Sequence, residues 1–250
     1  MLASERTRYI ISQLNKKGII NLKDVAKELS ISEATVRRDF EKLENEGKLK
    51  RVTGGATLAE ESEGSNNAEL TMRAKKLLNY DGKLRVARAA NEYIQDGECI
   101  FVDGGTSAAA MAGFLEKRPV KIVTHSELFV RSMNNPVADI VLVGGTYLTH
   151  YAMSVGTLTQ QMLQQFHFDR VFISCTCADL EEGLAYVNEL DTLAIKNLAC
   201  ENGDYSYLLL DSSKLNRRSF CKLGSLSSFE KVICDDNADL KDVPDNFILV

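Results

Sequence analysis

The feature that most constrains the fold is the stretch Ile31–Leu43, which reads Ile-Ser-Glu-Ala-Thr-Val-Arg-Arg-Asp-Phe-Glu-Lys-Leu. Ser32 can cap a helix, because its hydroxyl oxygen accepts bonds from backbone N–H groups, and no glycine or proline follows before Gly47. Val36, Phe40 and the last leucine recur at helical spacing. The sequence therefore predicts a short amphipathic helix whose apolar side packs on a small core.

The polar side of this helix suits DNA. It carries a hydroxyl and two guanidinium groups with little apolar bulk, and such groups reach phosphate oxygens and base edges when a helix lies in the major groove. From the helix alone, the alternative stays open that the paired arginines form an ordinary solvated face. The predicted DNA-contacting residues of the helix are Ser32, Ala34, Thr35, Arg37 and Arg38.

The flanking segments place this helix in a helix-turn-helix. Residues 7–16 and 21–29 are predicted helices with apolar residues on one side, and only three residues separate the second from the helix described above. After Gly47, residues 48–55 alternate like a short hairpin with a basic strand, which is typical of a wing. The sequence thus predicts a winged helix-turn-helix over residues 1–56, in which Lys50 and Arg51 also contact DNA.

Charge is distributed unevenly along the chain. Residues 1–55 contain 12 Lys and Arg against 8 Asp and Glu, a net charge of +4, whereas the remaining residues contain 18 against 27, a net charge of −9. A basic segment is attracted to the phosphate backbone and an acidic one is repelled by it. The asymmetry favours nucleic-acid binding through the N-terminal segment.

Composition indicates an ordinary globular protein. With 250 residues, of which 44% are hydrophobic and 26% charged, the chain can form one small and one medium domain. No signal-peptide core and no run of eighteen apolar residues is present, so we expect a cytoplasmic protein without a membrane partner. Six cysteines show no regular spacing, and the single residue between Cys175 and Cys177 is too short for a usual zinc motif, so we expect reduced core thiols and no metal site.

The larger part of the chain predicts an α/β domain. Residues 57–69 are polar and acidic without apolar periodicity and are interpreted as a linker. From residue 70 to 250, apolar strands alternate with helical segments, which indicates a mainly parallel, Rossmann-like sheet covered on both faces. Ligands of such sheets bind beyond the carboxyl ends of the strands.

Polar residues follow several of these predicted strands. Hydroxyls, carboxylates, glycine amides and one lysine suit a phosphorylated polyhydroxy compound, because amides and lysine bind phosphate and carboxylates accept hydroxyl protons. Each residue alone is more often a cap or turn residue, and that alternative stays open. The residues predicted in this way to bind an effector are Asp103, Gly104, Gly105, Thr106, Ser107, Thr124, Ser126, Gly144, Gly145 and Lys214, with Asp211 beside the lysine.

The chain resembles DeoR-type bacterial transcriptional regulators along nearly its whole length. The motifs that carry the resemblance are Ser32-Glu-Ala-Thr-Val-Arg-Arg-Asp39, Gly47-Lys-Leu-Lys-Arg51, Asp103-Gly-Gly-Thr-Ser107, Thr124-His-Ser126, Gly144-Gly145 and Asp211-Ser-Ser-Lys214. The resemblance implies an effector domain whose fold is similar to sugar-phosphate isomerases, a phosphorylated sugar or sugar derivative as effector, and repression of a catabolic operon by a homodimer or homotetramer. It also implies Glu189 as an effector residue.

The sequence departs from the family in three places. Cys175-Thr-Cys-Ala178 replaces a glycine-rich segment, His125 replaces a common asparagine, and Leu215 replaces a common aromatic residue. A bulkier wall at the first of these positions is expected to change which sugar fits.

An enzyme with an appended DNA-binding domain is the alternative function. A sugar-phosphate isomerase or transferase needs a base beside an acid at the reacting carbons, and Asp103, Asp211 and His125 are candidates. No paired acidic motif of an isomerase is recognisable, and a binding site needs the same groups without turnover. We therefore expect a regulator with no catalytic residues and no cofactor.

Overall fold

The structure is a computed structural model that describes residues 3–17, 19–46, 48–52, 54–57, 72–236 and 243–250. The chain divides into two compact units, Met1–Ala74 and Lys75–Val250. Among the described residues, no helix combines the length and apolar character that a membrane crossing requires.

The first unit contains three helices and a small sheet. The helices are α1 (Ala3–Lys17), α2 (Leu22–Leu29) and α3 (Glu33–Asn45). The strands are β1 (Ile19–Asn21), β2 (Lys50–Val52) and β3 (Gly55–Thr57), which pair antiparallel in the order β1-β3-β2. The three predicted helices and the wing hairpin are confirmed, whereas β1 was not predicted because its pairing partner β3 lies more than thirty residues later in the sequence.

Helix α3 begins where the sequence predicts it. The Ser32 hydroxyl accepts a hydrogen bond from the Thr35 amide at 3.2 Å, and Ser30 takes a left-handed conformation with φ 53° that ends α2. The apolar side of α3, with Val36 and Phe40, is buried in one core with residues of α1, α2 and the wing. This core positions the opposite side of α3 toward solvent.

The wing extends slightly further than predicted. Strand β3 ends at Thr57, one residue inside the predicted linker. A Cβ atom at Gly55 would lie 2.1 Å from the carbonyl oxygen of Ile20, so the close pairing of β3 with β1 requires glycine at this position. The predicted C-terminal glycine Gly47 and residues 58–69 of the predicted linker lie outside the described residues.

The second unit alternates strands and helices. Its helices are α4 (Met72–Leu77), α5 (Tyr80–Glu92), α6 (Thr106–Ala109), α7 (Ala112–Leu115), α8 (Glu127–Val130), α9 (Thr157–Leu163) and α10 (Leu190–Glu201). Its strands are β4 (Cys99–Val102), β5 (Lys121–Thr124), β6 (Asp139–Leu142), β7 (Thr146–Leu148), β8 (Met153–Val155), β9 (Phe168–Ser174), β10 (Cys177–Asp179), β11 (Leu184–Val187), β12 (Gly203–Leu210), β13 (Cys221–Ser225), β14 (Lys231–Cys234) and β15 (Phe247–Leu249).

A seven-stranded parallel sheet organises this unit, which confirms the predicted α/β class. Its strand order is β15-β14-β12-β9-β4-β5-β6, and every neighbouring pair is parallel. Side chains alternate between two cores on opposite faces: Ile100 and Val102 belong to one, and Phe101 belongs to the other. From β4 the chain runs outward to β5 and β6 and then returns to the other side of β4. The sheet therefore has a topological switch between β4 and β9, where ligand crevices form.

Several local predictions were wrong. The small residues from Ala108 to Leu115 favour one continuous helix, but this segment forms two single turns, because the amide of Met111 bonds three residues back to the carbonyl of Ala108 and tightens the chain between them. The hairpin β7–β8 and the antiparallel sheet β10-β11-β13 were not predicted, since strands of three to five residues give little periodicity.

All six cysteines are free thiols, in line with the expectation of reduced thiols.

Candidate nucleic-acid interface and ligand site

The exposed side of α3 presents the predicted DNA-contacting residues. Arg37 and Arg38 are exposed, and their guanidinium groups form no ion pair within the part of the chain that the structure describes. Ala34 is also exposed. The hydroxyls of Ser32 and Thr35 lie 2.9 Å apart and bond to each other at the helix start, so both contribute to the cap. The two arginines are thus the groups on this side most available to a ligand.

Two ion pairs hold α3 in place. Arg6 of α1 contacts Asp39 at two points, with its Nε 2.7 Å and its Nη2 3.0 Å from the two carboxylate oxygens. Arg51 of the wing donates through its amide at 2.9 Å and its Nε at 2.5 Å to the carboxylate of Glu44. These bonds lower the pKa of Glu44. Arg51 therefore joins the wing to α3, a role that its basic character did not reveal, while its neighbour Lys50 is exposed.

The predicted effector residues converge on the carboxyl edge of the parallel sheet. Asp103 follows β4 and is buried beside the switch. Its carboxylate accepts bonds from the Ser174 hydroxyl at 2.7 Å, the Ser174 amide at 3.1 Å and the Gly105 amide at 3.2 Å, and its other oxygen lies 2.5 Å from the Lys196 ammonium. Asp103 is therefore largely satisfied by protein groups. A Cβ atom at Gly105 would lie 1.8 Å from the Ser174 hydroxyl, so this packing requires the glycine.

Electrostatics keep Asp103 ionised. Burial alone would raise the pKa of this carboxyl group, but the opposing effects, of which the Lys196 charge is the largest, together hold the pKa well below its usual value. Lys196 lies on α10 and is itself buried. It is not among the effector residues predicted from the sequence. The signal in the residues themselves is a lysine within the apolar run Leu193-Ala-Ile-Lys.

His125 is held in one tautomer. The amide of Gly104 donates to its Nε2 at 3.0 Å, so Nε2 is unprotonated, and Nδ1 carries the proton and donates to the carbonyl of Ser154 at 2.8 Å. Nε2 lies 3.4 Å from the Asp103 carboxylate, and in this tautomer it has no proton to donate across that distance. Both ring nitrogens are therefore engaged within the protein.

Two predicted hydroxyls serve the local backbone. The Thr124 hydroxyl donates to the carbonyl of Val102 at 2.6 Å and accepts from the Ser126 amide, and the Ser126 hydroxyl caps α8 by accepting from the Phe129 amide at 3.1 Å. Both side chains are fully buried. They align β5 with β4 and begin α8, which makes them supports of this edge of the sheet.

The second glycine pair follows a strand, as the sequence predicts, and leads into a hairpin. Gly144 and Gly145 follow β6, are exposed, and lead into the hairpin β7–β8. Gly145 has φ 152°, and a Cβ atom there would lie 2.0 Å from the Thr159 hydroxyl. The pair lies after the outermost strand of the sheet, two strands away from the switch.

Polar atoms with hydrogen-bonding capacity left for a ligand lie near Lys214 and at the first turn of α6. The Ser107 hydroxyl is fully buried without a hydrogen-bond partner among the described residues, and Thr106 beside it is also buried. Lys214 donates to the carbonyl of Cys175 at 3.0 Å, lies 3.4 Å from the Asp211 carboxylate and keeps 20% of its side chain exposed. Burial raises the pKa of Asp211, but the Lys214 ammonium, the Ser213 hydroxyl and the Lys83 ammonium together lower it below its usual value.

Glu189 lies where α10 begins. Its carboxylate accepts a hydrogen bond from the Tyr151 hydroxyl at 3.3 Å, and its own side chain does not cap the helix. The structure thus has two lysine–aspartate pairs at one edge of the sheet, Asp103 with Lys196 after β4 and Asp211 with Lys214 after β12, on the two strands that flank β9. Such an arrangement can bind an anion through its lysines and amides while the carboxylates balance their charge.

Comparison with known proteins identifies both parts of the chain. Residues 6–62 match the DeoR-like helix-turn-helix domain, and residues 78–236 match the DeoR C terminal sensor domain. The chain is 30% identical over 240 residues to the uncharacterized HTH-type transcriptional regulator YulB of Bacillus subtilis, covering 96% of this chain and 91% of the relative.

Two further similarities concern a repressor and an isomerase. The chain is 27% identical over 241 residues to a lactose phosphotransferase system repressor of Staphylococcus epidermidis, covering 93% of this chain and 92% of the relative. A ribose 5-phosphate isomerase from Methanocaldococcus jannaschii superposes on 55% of each chain with a TM-score of 0.40 and 19% identity. The matches to both domain models, together with the relative at 30% identity, show that the chain belongs to the DeoR family of helix-turn-helix transcriptional regulators.

Proposed function

We propose that this regulator represses a sugar-catabolism operon by binding an operator through α3 and the wing, and that a phosphorylated sugar or sugar derivative controls this binding. Arg37, Arg38 and Lys50 contact DNA, while Ser32 and Thr35 fix the start of α3. Arg51 keeps its bonds to Glu44 and also contacts the operator. The similarity to the lactose phosphotransferase system repressor over 93% of the chain supports a sugar-related target.

The observation that carries the effector part is the position of Lys214. Its side chain is a fifth exposed, and its ammonium contacts one carbonyl and the Asp211 carboxylate at a strand end close to the switch of the sheet. An ammonium group has three donors, so one remains for a phosphate oxygen. The unsatisfied Ser107 hydroxyl supplies a further donor to the same class of ligand.

The same geometry supports binding rather than catalysis. A general base needs a free lone pair directed at the substrate proton. Asp103 accepts three hydrogen bonds and the Lys196 ion pair, and both nitrogens of His125 are engaged with protein groups. Neither Asp103 nor His125 is thus poised for proton abstraction. The third candidate, Asp211, is held as the ionic partner of the Lys214 ammonium at 3.4 Å. We therefore propose that the domain binds its sugar phosphate without turnover.

A two-step experiment tests the proposal. Selection of bound sequences from random duplexes defines an operator, and fluorescence anisotropy then measures operator affinity with glucose 6-phosphate, fructose 1-phosphate, ribose 5-phosphate or glycerol 3-phosphate. At a hundred times its Kd, a bound compound adds about 2.7 kcal/mol to the free energy of unfolding, which a rise in Tm detects. The matched control is the corresponding compound without phosphate.

We expect one sugar phosphate to raise Tm and to release the operator, while its unphosphorylated counterpart does neither. The proposal is overturned if no specific duplex is selected, or if the sugar phosphates change neither Tm nor operator affinity. Sedimentation of the complex tests the proposed homodimer or homotetramer, and a monomer that binds its operator tightly contradicts it.

A further inference from the structure

Helix α4 contacts two parts of the second unit. Its residue Lys75 accepts a hydrogen bond from Lys83 of α5 and lies over the ring of Tyr151 in the turn between β7 and β8. Along the chain it crosses from the first unit to the second, since the units meet between Ala74 and Lys75. Its C-terminal part and the turn that follows are held by Lys83, Asp235 and Tyr151, none of which the proposed function uses.

Lys83 is a buried lysine that clamps the end of α4. Only 3% of it is exposed, and its ammonium donates to the carbonyls of Lys75 and Leu78 at 2.6 Å each. Burial lowers the pKa of Lys83 to about 8, an effect that the Asp211 carboxylate opposes and the Lys214 ammonium increases. The charge state of Lys83 therefore depends on Asp211 and Lys214, the two residues at which the proposed phosphate site lies.

Asp235 is a second connection between the strand end near Lys214 and the end of α4. It follows β14, is fully buried and accepts bonds from the Ser212 amide at 2.6 Å and the Ser212 hydroxyl at 3.2 Å. Its carboxylate also accepts from the Asn79 side chain at 3.0 Å, at the turn between α4 and α5. Because Ser212 begins the short turn that carries Lys214, a shift of this turn is passed through one carboxylate to the end of α4.

Tyr151 forms the third connection, from the other side of the proposed site. Its hydroxyl donates to Glu189, and its ring lies 5.5 Å from the ammonium of Lys75 in a cation–π contact. Glu189 and Lys214 are both proposed effector residues. The end of α4 is therefore coupled to two residues that an effector would contact, Glu189 after β11 and Lys214 after β12.

We propose that α4 transmits effector occupancy toward the DNA-binding unit, with Lys83 and Tyr151 as the residues that couple it to the site. This inference rests on the proposed function. An anion bound at Lys214 offsets the repulsion between the Lys214 and Lys83 ammonium groups and so strengthens the two hydrogen bonds that Lys83 donates at the end of α4. Effector binding thus tightens the end of α4, and the free energy of that change is the coupling between the two ligands.

Two substitutions separate coupling from binding. Lys83→Met removes both clamp bonds, and Tyr151→Phe removes the bond to Glu189 while it keeps the ring over Lys75. Their matched controls are Lys121→Met and Tyr205→Phe, which change exposed residues at the opposite edge of the sheet. Each variant is titrated with whichever of glucose 6-phosphate, fructose 1-phosphate, ribose 5-phosphate and glycerol 3-phosphate releases the wild type from its operator.

We expect that compound to change the operator Kd of the wild type and both controls by about 5–150-fold, and that of Lys83→Met and Tyr151→Phe by less than about twofold. Operator affinity without the compound stays at the wild-type value, and calorimetry still detects its binding to both variants. Variants that respond like the wild type overturn the inference and leave the proposed function intact. If the wild type responds to none of the four compounds, both the inference and the proposed function are overturned.

A measurement on the wild type alone keeps the test independent of how the variants fold. Hydrogen exchange of peptides covering residues 72–78 is compared with and without the same sugar phosphate. Slower exchange in these peptides is expected, because the clamp bonds of Lys83 close over the last turn of α4. Unchanged exchange there, in the presence of a compound that releases the operator, contradicts a role for α4.

Discussion

The Lys196 ammonium lies 2.5 Å from the Asp103 carboxylate, and both side chains are buried beside the switch of the parallel sheet. This ion pair joins α10 to the end of β4. The bonds from Ser174 and Gly105 satisfy the remaining lone pairs of the carboxylate, which is the condition under which a buried charge is tolerated.

The pair should make the protein sensitive to acid. The pKa of Asp103 is lower in the folded chain than in the unfolded chain, so its stabilising contribution is complete above the ordinary value of about 4 and is lost as pH falls below it. Asp103→Asn leaves Lys196 buried and unpaired, which is expected to cost about 3–5 kcal/mol at neutral pH. Urea unfolding over a range of pH measures both effects.

The control for this substitution is Asp139→Asn, which changes an exposed aspartate on the edge strand β6. We expect the control to keep the acid sensitivity of the wild type. The double variant Asp103→Asn with Lys196→Met should recover part of the lost stability, because no unpaired charge remains. Equal unfolding free energies for Asp103→Asn and the wild type at neutral pH would show that the pair does not stabilise the fold.

The Arg6–Asp39 contact should position the recognition helix. Arg6→Gln removes the two-point ion pair between α1 and α3 while it leaves the exposed side of α3 unchanged. We expect operator affinity to fall several-fold. A double-mutant cycle with Asp39→Asn provides the control, since two residues that act through one contact give non-additive losses. Additive losses would mean that each residue acts separately.

Arg37 and Arg38 should differ in how their loss affects sequence preference. Replacing a base-reading arginine by alanine costs about 1–3 kcal/mol and blurs one operator position, whereas a lost phosphate contact weakens all sequences equally. Operator selection and anisotropy on Arg37→Ala and Arg38→Ala distinguish the two effects. Lys42→Ala is the matched control, because it removes an exposed positive charge from the last turn of α3. If both arginine variants bind like this control, α3 does not contact DNA.

Operator binding should depend steeply on salt. If two DNA-binding units neutralise about six phosphates, affinity falls on the order of a thousandfold between about 50 and about 200 mM salt. Anisotropy titrations at four or more salt concentrations give the slope directly. A shallow slope would indicate that the basic N-terminal segment makes fewer phosphate contacts than a dimer requires.

Ser107→Ala should separate ligand binding from stability. The hydroxyl is buried without a partner among the described residues, so its removal is expected to leave Tm unchanged or slightly raised. In the same variant, sugar-phosphate binding should weaken because a donor to the anion is lost. Lys214→Ala and Thr106→Ala should weaken binding as well and leave operator affinity intact. Lys222→Ala, an exposed lysine on β13, is the control.

Sequence reasoning predicted the elements whose periodicity is strong. Helix α3 was predicted from Ser32 and three apolar positions, and the parallel sheet was predicted from continuous apolar strands. Asp103, Thr106, Ser107 and Lys214 were placed correctly at the carboxyl edge because strand ends share that edge. What each does there remained a prediction, since a hydroxyl that caps a helix and one that faces a ligand are identical in sequence.

Residues that act over long distances in sequence could not be predicted. Asp235 and Tyr151 each lie in a segment with an ordinary local explanation, and their partners Asn79 and Glu189 become neighbours only in the folded domain. Lys83 and Glu44 have partners only five to eight residues away, but these contacts depend on how the chain folds back between α4 and α5 and between α3 and the wing. Tertiary contacts of this kind carry no local periodicity.

The pairing of β4 with β9 determines when each part of the protein becomes functional during synthesis. Asp103 and Ser174 are 71 positions apart, and α10 with Lys196 follows later still, so the ligand site cannot form until most of the chain has left the ribosome. The core around Phe40 is complete much earlier, once β3 has been made. Domains fold as units in the order of synthesis. A nascent chain is therefore expected to carry a folded DNA-binding unit before it can respond to any metabolite.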